Sequence, residues 1–209
     1  MNLVEAIRTR RMVRSFSGDP VDPVTLERII SLARHAPTAG NTQGWAVVVM
    51  SGPEQTARFW DATTTPAWRA SSRRWPGLSK APAVIAVFCR PGAYLDRYDA
   101  PDKAGSGLGT SAGEEAWPVP YWFVDAGFAV MAMLLGAADA GLGTCFLGNF
   151  RGEEELRSAL GVPIGWRYSG AVLLGKPAGS DPPSSSLDRQ RLPDSAVIHP
   201  GTWKRTEMT

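Results

Sequence analysis

The segment from Pro120 to Thr144, PYWFVDAGFAVMAMLLGAADAGLGT, limits the possible folds more than any other part of the chain. It is apolar nearly all round, as a central buried helix is, whereas a surface helix carries a single apolar stripe. Gly141 or Gly143 can supply the left-handed residue that ends it. Asp125, Gly127 and Asp139 interrupt the run, and by this reading no stretch has the continuous apolar length of a membrane span. A helix of this kind needs other elements around it. At 209 residues the chain is long enough to supply them and bury a core without staples.

Those elements can be read on either side. VDPVTLERIISLARHAP (21–37) is a helix with Asp22 at its N-cap and Pro23 at its first position. Leu26, Ile29, Ile30 and Ala33 form its buried stripe, and Pro37 ends it. Residues 2–10 read as a shorter helix with Leu3, Ala6 and Ile7 on one face. WAVVVM (45–50), PAVIAVFC (82–89), TCFLG (144–148) and RYSGAVLLGKP (167–177) read as strands. RGEEELRSALG (151–161) is a helix with acids in its first turn, where the helix dipole favours them. Residues 91–118, rich in Gly, Ser, Ala and Pro, form a long loop and the place for a lid. The tail from 178 has no core of its own and must wrap another surface or fray. The order lacks regular βαβ alternation, so the expected class is α+β, a sandwich with a small mixed sheet between helices.

Composition excludes several functions. A formal charge of +2 argues against a general nucleic-acid binder. Cys89 and Cys145 both sit in apolar runs and read as buried free thiols. MNLVEAIRTRR has no apolar signal core, and the reading is a cytoplasmic protein with no membrane association. The two histidines, His35 and His199, make no zinc spacing, and there is no Gly-x-Ser-x-Gly elbow or Walker loop. A chain with no nucleophile or metal motif can still be an enzyme if a cofactor carries the chemistry.

IRTRRMVRSF (7–16) suits that case. It places Arg8, Arg10, Arg11 and Arg14 within seven residues with no acid among them. Guanidinium groups bind phosphate bidentately and stay charged. Taken alone, the cluster is better read as a solvated basic face. APTAGNTQGW (36–45), between a helix and a strand, offers exposed backbone N–H groups that can meet the edge of a flat heterocycle. An ordinary connection is the alternative.

Taken together, IRTRRMVRSF, the 21–50 stretch, VDAGFAVMAMLLGAADAGLGTCFLG, LRSALGVPIGWRYSGAVLLGKP and the basic tail DRQRLPDSAVIHPGTW resemble, in order, the FMN-dependent nitroreductase family. The resemblance implies one domain over 1–209: a core of 1–50 and 123–177, a variable lid region of 51–120, and a tail of 178–209 that embraces a second subunit. It implies an intertwined homodimer with FMN at the interface and the 123–140 helix in the dimer core. It also implies ping-pong electron transfer from NADH or NADPH to an electron-poor small molecule such as a nitroaromatic or quinone.

The residues carry over one by one. The family's Arg-Arg-Ser-x-Arg reads here Arg10-Arg11-Met12-Val13-Arg14. The resemblance gives Arg10 the phosphate, Arg11 and Met12 the ribityl chain and ring, and Arg14 the pyrimidine edge. Negative charge collects at that edge on reduction, and a fixed cation stabilises it. Pro37, Thr38 and Asn41 match the loop that reaches the ring across the interface, and Leu147 and Gly148 match the segment beside the ring. Arg189 and Arg191 match the tail's phosphate ligands. Gly44 stands where the family has proline, which would loosen that loop, and Trp45 reads as structural. Met12 replaces the family serine and removes a hydroxyl.

Trp68, Trp117 and Trp122 are candidates for holding a planar acceptor, with core packing as the alternative; Arg69, Arg73 and Arg74 are candidates for an anionic group. Two other functions are open by the same resemblance. One is different flavin chemistry, such as dehydrogenation, enone reduction, dehalogenation or flavin fragmentation. The other is flavin binding without catalysis. Met12 in place of aspartate argues against fragmentation, and the lack of Tyr between 51 and 80 argues against dehalogenation.

Overall fold

Four apolar, β-branched runs pair into one sheet. The computed structural model describes residues 1–71, 76–149, 151–179 and 189–203. Its strands are β1 (Trp45–Ser51), β2 (Ala83–Cys89), β3 (Gly143–Leu147) and β4 (Arg167–Gly175), in the order β1-β2-β4-β3. Every pairing between them is antiparallel, with Val47 opposite Val87, Ile85 opposite Val172 and Cys145 opposite Leu173. The expected mixture of directions is reduced, among the described residues, to one parallel bridge from Met12 to Thr144 outside the named strands.

β2 is buried along its whole length. Side chains alternate across a strand, so the sheet separates two cores. Ala83, Ile85, Val87 and Cys89 face one, and Val84, Ala86 and Phe88 face the other. Cys89 and Cys145 are free thiols lying in opposite cores.

The first core is closed by α2 (Pro23–Ala33) and α6 (Tyr121–Asp139). Asp22 caps α2, its carboxylate accepting from Thr25 N–H at 2.9 Å and from the Thr25 hydroxyl at 2.8 Å. Leu26, Ile29 and Ala33 are buried and Ile30 half-buried; the helix stops at Ala33, before Pro37 is needed to end it. Gly136 lets α2 and α6 close together, since a Cβ there would lie 2.6 Å from Leu32 Cδ1. α6 ends at Gly141 (φ 70°), where Leu142 N–H bonds to Ala137 C=O and Gly141 N–H to Ala138 C=O.

Two expectations about this helix change. It is continuous for 19 residues and, among the described residues, is long and apolar enough to cross a membrane by length and composition. Asp125 does not interrupt it, because its carboxylate is satisfied inside the fold. Nor is α6 covered all round by its own chain. Trp122, Ala126, Ala129 and Met133 face the core, while Phe123, Phe128 and Met131 are 39–47% exposed.

The second core holds α3 (Pro53–Thr63) and α7 (Glu153–Ala159), with Phe59, Trp60 and Leu156 buried. α4 (Pro66–Ser71) follows α3. The 91–118 stretch, expected as a loop, contains α5 (Pro91–Tyr98) and short turns at 104–106 and 114–116. It is tied down by Asp99 to Thr110, by Arg167 to Glu114 at 2.6 Å, and by Trp117 Nε1–H to Leu108 C=O at 3.0 Å. At the N-terminus, α1 (Leu3–Thr9) buries Ala6 only; Leu3 and Ile7 are exposed. Among its described residues the tail carries one turn of helix, α8 (Asp194–Val197).

Candidate functional site

The arginine cluster lies along the free edge of β3. After α1 the chain turns extended and pairs with that strand: Val13 N–H donates to Thr144 C=O at 2.7 Å, and Phe146 N–H meets Met12 Sδ at 3.4 Å. Further on, Ser17 N–H reaches Lys176 C=O and Ala178 N–H reaches Ser15 C=O. The Met12 thioether therefore occupies a backbone donor of β3 and packs into both cores.

This pairing sets up a hollow of about 210 Å3 between Arg10, Arg11, Gly143, Thr144 and Pro177. Arg10 is half-buried at the C-terminus of α1, and its Nη1 is buried with no hydrogen-bond partner among the described residues. A buried donor left unpaired costs about 1–3 kcal/mol, more when charged, so this one is suited to an anion that the chain itself does not provide. Arg11 Nη1 donates to Arg8 C=O and Arg10 C=O, and Arg14 Nη1 donates to Met12 C=O at 3.1 Å. Leu147 and Gly148 end the same strand. Gly148 is exposed, with nothing within 4 Å of where a Cβ would stand. These two residues also line a second cleft, of about 410 Å3, with Trp60, Trp68, Asn149 and Arg151.

Pro37, Thr38 and Asn41 are elsewhere. Their loop leads into β1, the opposite outer strand, roughly 14 Å away at about 4.8 Å per strand step. One protomer therefore brings Arg10, Arg11, Met12, Arg14, Leu147 and Gly148 to one edge and the 37–41 loop to the other.

The loop is strained and strapped. Gly40, Asn41 and Gln43 all take left-handed backbone (φ 61°, 55° and 54°). Thr38 Oγ1 accepts Gln43 N–H at 3.0 Å, Thr42 Oγ1–H reaches Ala39 C=O, and Arg97 Nε–H reaches Gly40 C=O at 2.8 Å. Arg97 is itself held by Asp102 at 2.6 Å. From α6, Asp125 Oδ2 accepts Ala39 N–H at 2.8 Å and the Tyr94 hydroxyl at 2.7 Å, in a site where Asp125 is 1% exposed. Burial, then the hydrogen bond to Asp125, pushes Tyr94 well above the usual phenol range and keeps it a donor. Gly44 does not loosen this loop. A Cβ at that position would strike Tyr94 Cε2 at 2.5 Å, so glycine permits the contact. Sequence reasoning passed over Asp125, Tyr94 and Arg97. An acid in the middle of an apolar helix was the available signal, since a buried charge must find partners.

The remaining candidates separate. Trp117 and Trp122 are buried in the first core among Tyr94, Tyr98 and Tyr121; Trp68 is 41% exposed beside the second cleft. Arg69 is paired with Asp61 at 2.8 Å. Arg73 and Arg74 lie outside the described residues. Arg189 and Arg191 are exposed, and neither lines the hollow at Arg10. Leu192, Val197, Ile198 and Trp203 of the tail are 62–81% exposed. Burial raises the Cys89 thiol above its ordinary range. Among the described residues no group of three His, Cys, Asp or Glu could hold a metal ion.

The model of the Nitroreductase family matches residues 7–176. An NADH dehydrogenase of Thermus thermophilus is 27% identical over 197 residues, covering 88% of this chain and 90% of the relative. An FMN reductase [NAD(P)H] of Bacillus subtilis is 27% identical over 207 residues, covering 96% and 74%. The fold matches a solved nitroreductase–FMN complex from Exiguobacterium sibiricum with a TM-score of 0.69 at 21% identity, covering 98% of each chain.

Proposed function

This chain belongs to the nitroreductase family, and we propose that it is an FMN-dependent oxidoreductase that carries electrons from NADH or NADPH to an electron-poor small molecule. The observation that carries this reading is the buried, unpartnered Arg10 Nη1 beside an edge left open at Gly148. The donor set fits an anionic, flat cofactor: Arg10 and Arg11 for a phosphate, and no side chain in the way of a ring at Gly148. The relatives' names, an FMN reductase and an NADH dehydrogenase, support the same choice.

In this reading Arg10 binds the cofactor phosphate, and Arg11 and Met12 line its chain. Arg14 supplies fixed positive charge to the ring edge that becomes negative on reduction. Leu147 and Gly148 flank the ring. Pro37, Thr38 and Asn41 come from the partner subunit, and Arg189 and Arg191 from a tail that crosses the interface. When bound, FMN would supply the two-electron chemistry, accepting hydride from NAD(P)H and returning electrons to a nitroaromatic, quinone or similar acceptor in a separate half-reaction. The chain's task is binding, orientation and exclusion of competing acceptors. No side chain need act as a base, because water can supply protons.

Homodimerisation is part of the proposal. The two halves of the site lie on opposite edges of the sheet, the Phe123–Phe128–Met131 face of α6 is uncovered, and the tail carries exposed apolar residues. A cytoplasmic location goes with it. The test is an absorption spectrum of the purified full-length protein, then anaerobic NADH or NADPH in the same cuvette. Paired flavin bands that bleach with reductant and return on adding an acceptor are expected. Protein that lacks the bands and does not take up added FMN would sink the proposal; bands that neither dinucleotide bleaches would leave a binding protein in place of an enzyme.

A further inference from the structure

The second cleft is chemically one-sided. One wall comes from α3, the turn after it and α4, and carries Trp60 and Trp68; the other comes from the end of β3 and carries Gly148, Asn149 and Arg151. Two N–H groups in these walls, Trp60 Nε1 and Asn149 Nδ2, are buried and have no partner among the described residues. Two hydroxyls nearby are already committed as donors, Thr63 to Phe59 C=O and Thr64 to Trp60 C=O, while Thr65 Oγ1 accepts Trp68 N–H. Among the described residues Arg151 is the one charged side chain lining the cleft, and no carboxylate lines it. Asp61, a short way along α3, is paired with Arg69.

A cation, two unsatisfied donors and an exposed indole face suit a flat ligand whose polar atoms only accept. We propose that this cleft takes planar aromatic acceptors that carry an oxyanion such as a carboxylate. Arg151 meets the oxyanion, Trp60 Nε1 and Asn149 Nδ2 donate to ligand oxygens, and Trp68 covers the ring. The assignment rests on the function proposed above, which supplies the electrons, and adds the substrate class. It also explains why an indole N–H is buried unpaired in α3. The group costs stability in the empty protein and regains it on binding.

The experiment compares 4-nitrobenzoate with the neutral 4-nitrobenzamide on the full-length FMN-loaded protein. The expected kcat/KM favours the carboxylate by about 10-fold, the size of one charge-assisted hydrogen bond. Arg151→Ala is expected to abolish that preference, and raised salt to reduce it. A readout independent of turnover is the Kd of benzoate and benzamide, which are not reduced, followed by tryptophan fluorescence. Asn149→Ala should weaken both by about 5-fold, one neutral hydrogen bond, and Arg151→Ala only benzoate. Equal kcat/KM for the two acceptors in the wild type, or an Arg151→Ala protein with the ratio unchanged, overturns the proposal. So does an Arg151→Ala effect confined to the KM of NADPH, because the cation then serves the dinucleotide. Benzoate that binds in preference to benzamide, in a protein that reduces neither nitro compound, would keep the oxyanion site and overturn the oxidoreductase reading instead.

Discussion

Removing the Asp125 carboxylate tests how the strapped loop is held. Asp125 is 1% exposed and takes two hydrogen bonds, from Ala39 N–H at 2.8 Å and from Tyr94 O–H at 2.7 Å. In Asp125→Ala the buried Tyr94 hydroxyl and the part-buried Ala39 N–H both lose their acceptor. At about 1–3 kcal/mol for the buried donor and less for the other, the expected loss is about 2–5 kcal/mol. That is a large share of the 5–15 kcal/mol that stabilises a typical domain. Asp125→Asn keeps the shape and one carbonyl oxygen that can accept from both groups. It trades a charged acceptor for a neutral one and adds an amide with nothing to bond, so a smaller loss of about 1–2 kcal/mol is expected. The left-handed residues Asn41 and Gln43 depend on the same anchor. Both variants should therefore weaken FMN binding beyond what their global stability explains. The assay is urea denaturation at one fixed protein concentration, with the Ala39 amide followed by hydrogen exchange and FMN affinity by fluorescence. If Asp125→Ala costs under about 1 kcal/mol, or Ala39 stays as protected as in the wild type, the carboxylate is not the anchor.

Three further outcomes are expected. Arg10→Met should leave the melting temperature of FMN-free protein unchanged or higher, because an unsatisfied buried donor is gone, and weaken FMN by about 10- to 100-fold; unchanged FMN affinity would remove Arg10 from the site. Phe128→Asp combined with Met131→Glu places two charges on the uncovered face of α6, and sedimentation should show a monomer that holds little FMN; a dimer of wild-type affinity would place the interface elsewhere. Met12→Ser restores the family's hydroxyl but removes a thioether packed into both cores and the acceptor for Phe146 N–H. A stability loss of about 1–3 kcal/mol is expected by thermal denaturation, and a melting temperature equal to wild type would show that Met12 contributes only its backbone.

Local order was legible wherever the cause was local. The Asp22–Pro23 start of α2, the Gly141 stop of α6 and the two apolar strands each depend on a few neighbouring residues, and the structure has them at those places. The ordered arginine, loop and strand motifs were enough to identify the family. The 91–118 stretch was not legible, because much of its order comes from contacts far along the chain: Arg97 on Gly40 and Glu114 on Arg167. Its Gly, Ser and Pro content reads as loop when those partners are unseen. Asp125 was misread for the same reason. A carboxylate in an apolar run looks like an interruption until Ala39 and Tyr94, 86 and 31 residues away, are placed against it.

By itself the sequence determined most of the elements and the residue types a phosphate-bearing cofactor would need. Those follow from periodicity and side-chain chemistry, which neighbouring residues set. Only the tertiary structure decided which of those residues meet. It put Arg10 to Arg14 beside Leu147 and Gly148 on one edge of the sheet, and it set the 37–41 loop on the other. Strand order brings about that separation, and strand order depends on which apolar faces can be buried together, a property of the whole chain that no single segment carries.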